Sequence, residues 1–238
     1  MVKDRPSIER AGRLMSASIA FVIPTLNEAA TIGPLLEALR ERFPTARLIV
    51  VDGGSSDSTV RAAMPRCDEL LLCVAGRARQ MNLGASVART GYLFFLHADS
   101  LPTADAPALQ TYLECAPAWG FCRVRLSGQR RVFRVIEWFI NQRSRATGVG
   151  TGDQMLFIRR DLFDASGGFD AQPLMEDVAY CKRLRRQGAP LIIAEPVITA
   201  SRRWEEGGVV RTVLRMWALR LAYALGVSPQ RLWRYYYG

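Results

Sequence analysis

Three acidic clusters stand out in this sequence as groups able to do chemistry. They are Asp52 in Val50-Val51-Asp52-Gly53-Gly54-Ser55-Ser56-Asp57, Asp99 in His97-Ala98-Asp99, and the pair Glu176-Asp177. Gly53 and Gly54 let the backbone beside Asp52 approach a ligand without a side-chain clash, so this carboxylate can accept hydrogen bonds from a nucleobase or a ribose. It can equally cap a helix starting near Ser58, a common role for Asp and Ser. Asp99 ends an apolar run, where a carboxylate can hold a divalent cation that also grips a diphosphate; magnesium is usually bound by one or two carboxylates plus phosphate oxygens and water. His97 is the only histidine, and an imidazole ligand shifts preference from magnesium toward manganese. A lone histidine is more often structural, which makes Asp99 the stronger metal candidate. Glu176 and Asp177 open a helical stretch whose dipole favours negative charge. If one of them faces the same rim as Asp52 and Asp99, it can take a proton from an attacking hydroxyl.

The elements that must position these groups read as an alternation of strands and helices. Short apolar runs at Ile19–Ile23, Leu48–Val51, Leu70–Val74 and Tyr92–Leu96 suit a parallel sheet buried on both faces. Ala29–Phe43 and Ala78–Arg89 between them have helical spacing. In such open sheets ligands sit beyond the carboxyl ends of the strands. The residues there are Pro24-Thr25-Leu26-Asn27-Glu28, Asp52 to Asp57, and His97 to Ser100, so three strand ends converge on one rim. Downstream, the pattern loosens after Ala118–Leu126, and Arg130–Arg145 reads as a basic amphipathic helix. A glycine-rich bend at Gly148–Gly152, a strand at Met155–Ile158, a turn at Gly167-Gly168, a helix near Asp177–Gln187, a strand at Leu191–Ile193 and a long helix from Val209 follow. With no repeat and no low-complexity linker, residues 1–238 read as a single α/β domain.

Composition narrows the classes. A chain of 238 residues, 49% hydrophobic and 23% charged, is in the globular range. Its net charge is +10, and residues 1–119 hold equal numbers of each sign, so the surplus lies wholly in residues 120–238. An anionic partner is one explanation; a general preference for arginine over lysine is another. Arg123, Arg125, Arg130, Arg131 and Arg134 can face a phosphorylated acceptor or an anionic membrane. In the last long helix Val210, Leu214, Trp217, Leu221 and Leu225 recur at helical spacing beside Arg211 and Arg215, so contact with a membrane surface, docking on the core and a homodimer are all compatible. Five cysteines without a CxxC pair fit reduced thiols and a cytoplasmic location, extending to the inner face of the membrane. Met1–Ser18 lacks the apolar core of a secretory leader. Arg211, Arg215 and Arg220 interrupt the most apolar long segment, Val209 to Val227, which argues against a membrane span.

The motifs together resemble family-two glycosyltransferases of the GT-A fold, a Rossmann-like nucleotide-diphospho-sugar transferase architecture with a mostly parallel sheet. The resemblance is carried by Phe21 to Glu28, Val50 to Thr59, His97-Ala98-Asp99, Arg159-Arg160 through Gly167-Gly168-Phe169, and Glu176-Asp177. A finer similarity, to the subgroup associated with arsenosugar biosynthesis, rests on Gly76-Arg77-Ala78-Arg79-Gln80-Met81-Asn82, Gly152-Asp153-Gln154 and Ser201-Arg202-Arg203-Trp204-Glu205. The resemblance implies a nucleotide-sugar-binding half, 1–119, and an acceptor-binding half, 120–238, with C-terminal amphipathic helices. It implies nucleotide-sugar contacts from Pro24, Thr25, Glu28, Asp52, Gly54, Arg79, Gln80, His97 and Asp99, and a manganese or magnesium ion at Asp99 and His97. Gly152, Asp153, Gln154, Arg203 and Trp204 would meet the acceptor, and Asp177, with Glu176 beside it, would be the catalytic base. A uridine diphosphate sugar is the commonest family donor.

Two departures from the family pattern stand in the sequence. His97 occupies the place of the first acid in the Asp-X-Asp metal motif. The Gln/Arg-X-X-Arg-Trp motif of processive members survives only as Arg203-Trp204, so repeated polymerisation is not implied. The implied reaction is single, inverting transfer to a hydroxyl acceptor. A nucleotidyltransferase is the rival enzyme, but the first strand ends in an acidic segment rather than a basic, glycine-rich phosphate loop. A nucleic-acid-binding module, suggested by the charge and by Trp233 to Tyr237, shows no recognised signature, and no nucleic acid partner is expected.

Overall fold

The computed structural model describes residues 18–237. The reading of Met1–Ser18 therefore lies, except for Ser18, outside the described residues. Eight strands form one sheet among them: β1 Ile19–Thr25, β2 Arg47–Asp52, β3 Glu69–Leu72, β4 Tyr92–Phe95, β5 Ser100–Pro102, β6 Trp119–Leu126, β7 Leu156–Arg159 and β8 Leu191–Thr199. Their spatial order is β3-β2-β1-β4-β7-β6-β8-β5. Strands β1 to β4 are mutually parallel, β6 is parallel to β8, and only β7 and β5 run against their neighbours. The sheet is thus mostly parallel, as expected. The helices are α1 Ile32–Arg42, α2 Thr59–Ala63, α3 Arg77–Val87, α4 Ala106–Leu113, α5 Arg131–Thr147, α6 Arg160–Ser166, α7 Glu176–Leu184, α8 Arg202–Glu206, α9 Val209–Ala224 and α10 Pro229–Tyr237.

Burial on both faces explains the continuous apolar runs. Successive β1 side chains point to opposite faces, so Phe21 and Ile23 join Ile32, Leu36 and Leu39 of α1, while Ala20 and Val22 join Ala78, Met81 and Ala85 of α3. Each fully buried aliphatic side chain of this kind contributes about 1.5–3 kcal/mol. Helix α3 lies close against the sheet because Gly84 has no side chain: a Cβ there would stand 2.4 Å from Val22 Cγ1.

Several boundaries differ from the sequence reading. Helix α1 begins at Ile32 rather than Ala29, because Glu28 O accepts from both Thr31 N and Ile32 N and closes a turn first. The strand at Leu191–Ile193 extends to Thr199, since its second half pairs with both β6 and β5. Helix α4, capped by Asp105 through Ala108 N at 3.0 Å, and the three-residue β5 were not anticipated.

Candidate active site

Register places the three strand ends side by side. Thr25, the last residue of β1, pairs with Asp52, the last of β2, and Leu96 N, just past β4, donates to Val22 O. The loops beyond β1 and β2 are tied to each other: Asn27 N donates to Ser55 Oγ at 2.8 Å, Ser56 N to Asn27 Oδ1 at 2.9 Å, and Ala29 N to Asp57 Oδ2 at 3.2 Å. Asn27 takes φ 55°, a left-handed conformation that Asn tolerates better than most residues. Glu28, half-buried, accepts from Thr31 Oγ1 at 2.8 Å, and its backbone N donates to Thr59 Oγ1 at 2.7 Å.

Asp52 is buried and shapes its own loop. Its Oδ2 accepts from Gly54 N and Ser55 N, both at 2.8 Å, and its Oδ1 from Ser55 Oγ at 2.5 Å. It therefore caps the Gly54-Ser55 turn rather than the helix after Ser58. Gln80, expected to line the nucleotide pocket, is only 3% exposed. Its Nε2 donates to Thr25 O and Val51 O, each at 2.8 Å, while its Oε1 accepts from Gly76 N at 3.3 Å. It clasps the ends of β1 and β2 from beneath and leaves Arg79, one residue earlier and exposed, as the side chain of this pair open to solvent.

The opposite wall follows from the reversed direction of β7. Phe95 pairs with Leu156, so the 3-10 turn Gly152–Gln154, just before β7, lies over His97, just after β4. His97 Nδ1 stands 3.2 Å from Asp153 Oδ1, and a Cβ on Gly152 would be 2.3 Å from His97 Nε2. The ring is thus packed into the turn on both nitrogens. Gln154, expected to touch the acceptor, is 1% exposed: its Oε1 accepts from Thr151 N and from Ser144 Oγ of α5, and its Nε2 donates to Cys122 O of β6. Like Gln80, it pins a loop from below because an amide can satisfy several buried backbone groups at once.

Helix α7 delivers its first residues to this turn. Asp177 Oδ2 accepts from Gly152 N at 2.7 Å and its Oδ1 from Val178 N at 2.6 Å. Burial pushes the Asp177 carboxyl above its ordinary range, against the opposing pull of these two N–H groups and of His97 and Arg77. Burial, reinforced by Asp177 and opposed by Arg77, pushes neighbouring Glu176 up to about 7. Two carboxylates in one desolvated place cannot both ionise easily, which favours the protonated form of each.

Two cations near this pair were missed from sequence. Arg77, exposed on the first turn of α3, loses some hydration to the protein around it, yet Glu176, Asp153, Tyr237 and Asp177 hold its pKa above the usual arginine value. Arg143, on α5, is pulled below that value by burial against the opposing effect of Asp177, Cys181 and Asp153. Its Nη2 donates to Ser144 Oγ at 2.8 Å, and its buried Nε has no protein partner. The only sequence signal for Arg77 was its place in the Gly76–Asn82 motif; Arg143 looked like one cation of a basic face.

Asp99 is half-buried, with Oδ1 accepting from Ser100 Oγ at 3.2 Å and its carbonyl accepting from Ala200 N. No group of three His, Cys, Asp or Glu side chains able to hold a metal exists among the described residues. A divalent ion that takes most of its ligands from a diphosphate and water needs only one or two protein carboxylates, so Asp99 fits it as the protein donor. His97 fits less well, being engaged with Asp153 and Gly152. Trp204 is half-buried against the cluster formed by Leu126, Phe133 and Ile136, which binds its ring to the core. The side chain of Arg203 lies outside the described residues.

Residues 20–167, more than half of the chain, match the sequence profile of "Glycosyl transferase family 2". The chain belongs to glycosyl transferase family 2. No protein of curated function matches this family 2 chain by sequence. Solved structures share its fold. S. aureus TarS is 14% identical with a TM-score of 0.62, covering 86% of this chain and 40% of its own. The mannosyltransferase PcManGT from Pyrobaculum calidifontis, in complex with GDP-Man and Mn2+, is 22% identical with a TM-score of 0.59, covering 86% of this chain and 60% of its own. TarS 1–349 in complex with UDP-GlcNAc is 13% identical with a TM-score of 0.57, covering 77% and 58%. The family 2 chain thus spans between 40% and 60% of the length of these structures.

Proposed function

We propose that this chain transfers a sugar from a nucleotide diphosphate sugar to an acceptor hydroxyl, in a single inverting displacement without processive elongation. The observation that carries the reading is Asp177: a carboxylate of raised pKa, oriented by Gly152 N–H on a turn that packs against His97, just beyond the end of β4. A base with a pKa moved toward neutrality is better able to remove a hydroxyl proton. An inverting transfer needs one such base on the face opposite the leaving group and no second nucleophilic carboxylate.

In this reading the loops after β1 and β2, with Glu28, Gly54 and Arg79, receive the nucleoside, and Pro24 and Thr25, buried at the end of β1, support them from below. Asp52 and Gln80 keep those loops in shape. Asp99 would hold the manganese or magnesium ion, which when bound neutralises charge on a departing diphosphate. The GDP-Man and Mn2+ of PcManGT and the UDP-GlcNAc of TarS agree with a donor of that class; a uridine diphosphate sugar is the donor proposed here. Gly152 and Asp153 border the space for the acceptor, whose hydroxyl would donate its proton to Asp177. Arg77 and Arg143 offset the negative charge gathered there and suit an acceptor that itself carries an anionic group. The Gly76–Asn82 and Gly152–Gln154 motifs, which carry the arsenosugar-subgroup similarity, contribute residues to these walls.

The test is a screen of nucleotide sugars with manganese or magnesium, reading thermal shift and the released nucleotide. Stabilisation by one donor with release of the nucleoside diphosphate, abolished by EDTA, is expected. Release of pyrophosphate instead would assign a nucleotidyl transfer, and undiminished turnover in EDTA would remove the metal from the account.

A further inference from the structure

No helix among the described residues is long and apolar enough to cross a membrane, yet α9 is apolar on two opposite sides. Its inner side, with Thr212 and Leu219 buried and Met216 and Tyr223 partly so, packs on the core. Its outer side carries Val210, Leu214, Trp217, Leu221 and Leu225, each between 61% and 77% exposed. At 100° per residue these five fall within an arc of roughly 80° and run about 22 Å along the axis. On the same projection Arg211 and Arg215 flank the arc on one side and Arg220 on the other.

The neighbouring helices extend this surface. Val209 and Val213 of α9 pack with Val132 and Ile140 of α5 around a small shared cluster, and α5 leaves Val135, Trp138 and Phe139 exposed. Arg215 donates to Tyr235 O and Tyr236 O of α10 and lies over the Tyr236 ring, and α10 leaves Trp233, Tyr235 and Tyr237 exposed. The three helices together hold nine arginines and one glutamate, and that glutamate, Glu137, is buried and paired with Arg134. An exposed apolar stripe such as that of α9 marks an interaction site.

We propose that the outer faces of α5, α9 and α10 form a docking surface for an anionic lipid bilayer, with α9 lying in the plane of the interface. Charge selects the occupant. A second copy of the chain would set arginines against arginines, whereas an anionic leaflet attracts the exposed ones, Arg131, Arg145, Arg211, Arg231 and Arg234. Composition agrees, since leucine and tryptophan enter the acyl boundary while arginine stems reach out to headgroups and tyrosine sits at headgroup level. The surface does not depend on the transfer reaction, and its test reads binding alone.

The test is flotation of the full-length protein with vesicles of phosphatidylcholine alone and of phosphatidylcholine with about 30% phosphatidylglycerol. Retention on the anionic vesicles only, weakened when salt rises from about 0.1 to 0.5 M, is expected. The triple variant Leu214→Ser, Trp217→Ser, Leu221→Ser, altered only at exposed positions and checked for an unchanged melting temperature, should lose about tenfold or more of that partitioning. Failure of the natural protein to float at low salt, or equal flotation by a folded triple variant, would overturn the proposal. Sedimentation covers the other occupant: a dimer that anionic vesicles do not retain, and that the triple variant dissociates, would make this a face between copies and refute the membrane assignment.

Discussion

Replacing Gly152 by alanine tests how the active-site turn holds the base. The added Cβ would stand 2.3 Å from His97 Nε2 and 2.5 Å from Cε1, over an ångström inside ordinary van der Waals contact at about 3.5 Å. The ring cannot swing away easily, because its Nδ1 faces Asp153 and only 11% of its side chain is exposed. The turn must therefore move outward, lengthening the 2.7 Å bond from Gly152 N to Asp177 Oδ2. Overpacking of this kind costs about 1–3 kcal/mol of stability. A hydrogen bond to a charged acceptor contributes about 1.5–3 kcal/mol, and one pH unit corresponds to about 1.4 kcal/mol, so losing it moves the acidic limb of the kcat–pH profile up by about one to two units. Displacing the base by about an ångström lowers kcat by about a hundredfold. The assay is nucleoside diphosphate release across pH 5–9, with donor affinity measured in parallel. A Gly152→Ala protein with kcat within threefold of the natural value and an unmoved limb would refute the claim that this turn positions Asp177.

Two further outcomes follow from the same geometry. Burial raises Glu176 above its unfolded value, so its contribution to stability is complete below about pH 4.5 and is lost as pH rises through about 7. Urea unfolding should show a loss of up to about 3 kcal/mol between those limits, flattened in Glu176→Gln; equal slopes in both proteins would contradict the assignment. Gln80→Leu removes the donor to Thr25 O and Val51 O, while Thr25 O keeps Gly53 N and Val51 O keeps the longer bond from Thr25 Oγ1, so the loss of the two amide bonds costs about 1–3 kcal/mol. A clear fall in melting temperature is expected, and an unchanged one would show that the strand ends do not need this clasp.

The sequence made legible what depends on short stretches. The runs Ile19–Ile23, Leu48–Val51 and Tyr92–Leu96 are apolar without interruption because both faces are covered, and the acids beyond them mark the rim whatever the rest of the fold does. The turn-to-helix step at Glu176 was visible for the same local reason. What stayed hidden depends on pairs of distant segments. Gln80 and Gln154 stand in polar motifs beside the rim and read as ligand contacts, but their amides meet backbone carbonyls that only the packed sheet places there. Arg134 read as an anion-facing cation, yet its Nη2 donates to Leu126 O and Gly128 O. The charges of Arg77 and Arg143 act on Asp177 from two separate helices, a convergence that periodicity cannot report. The three-residue β5 carries too few residues for a pattern and exists because β8 offers it an edge.

The most direct measurement of the central claim is donor binding and turnover in Asp177→Asn. Asparagine keeps the shape and can still accept the Gly152 N–H, but it cannot take up a proton. Donor affinity within a few-fold of the natural protein and kcat reduced about a hundredfold to ten-thousandfold are expected. Turnover at the natural rate with donor affinity intact would show that another group removes the acceptor proton.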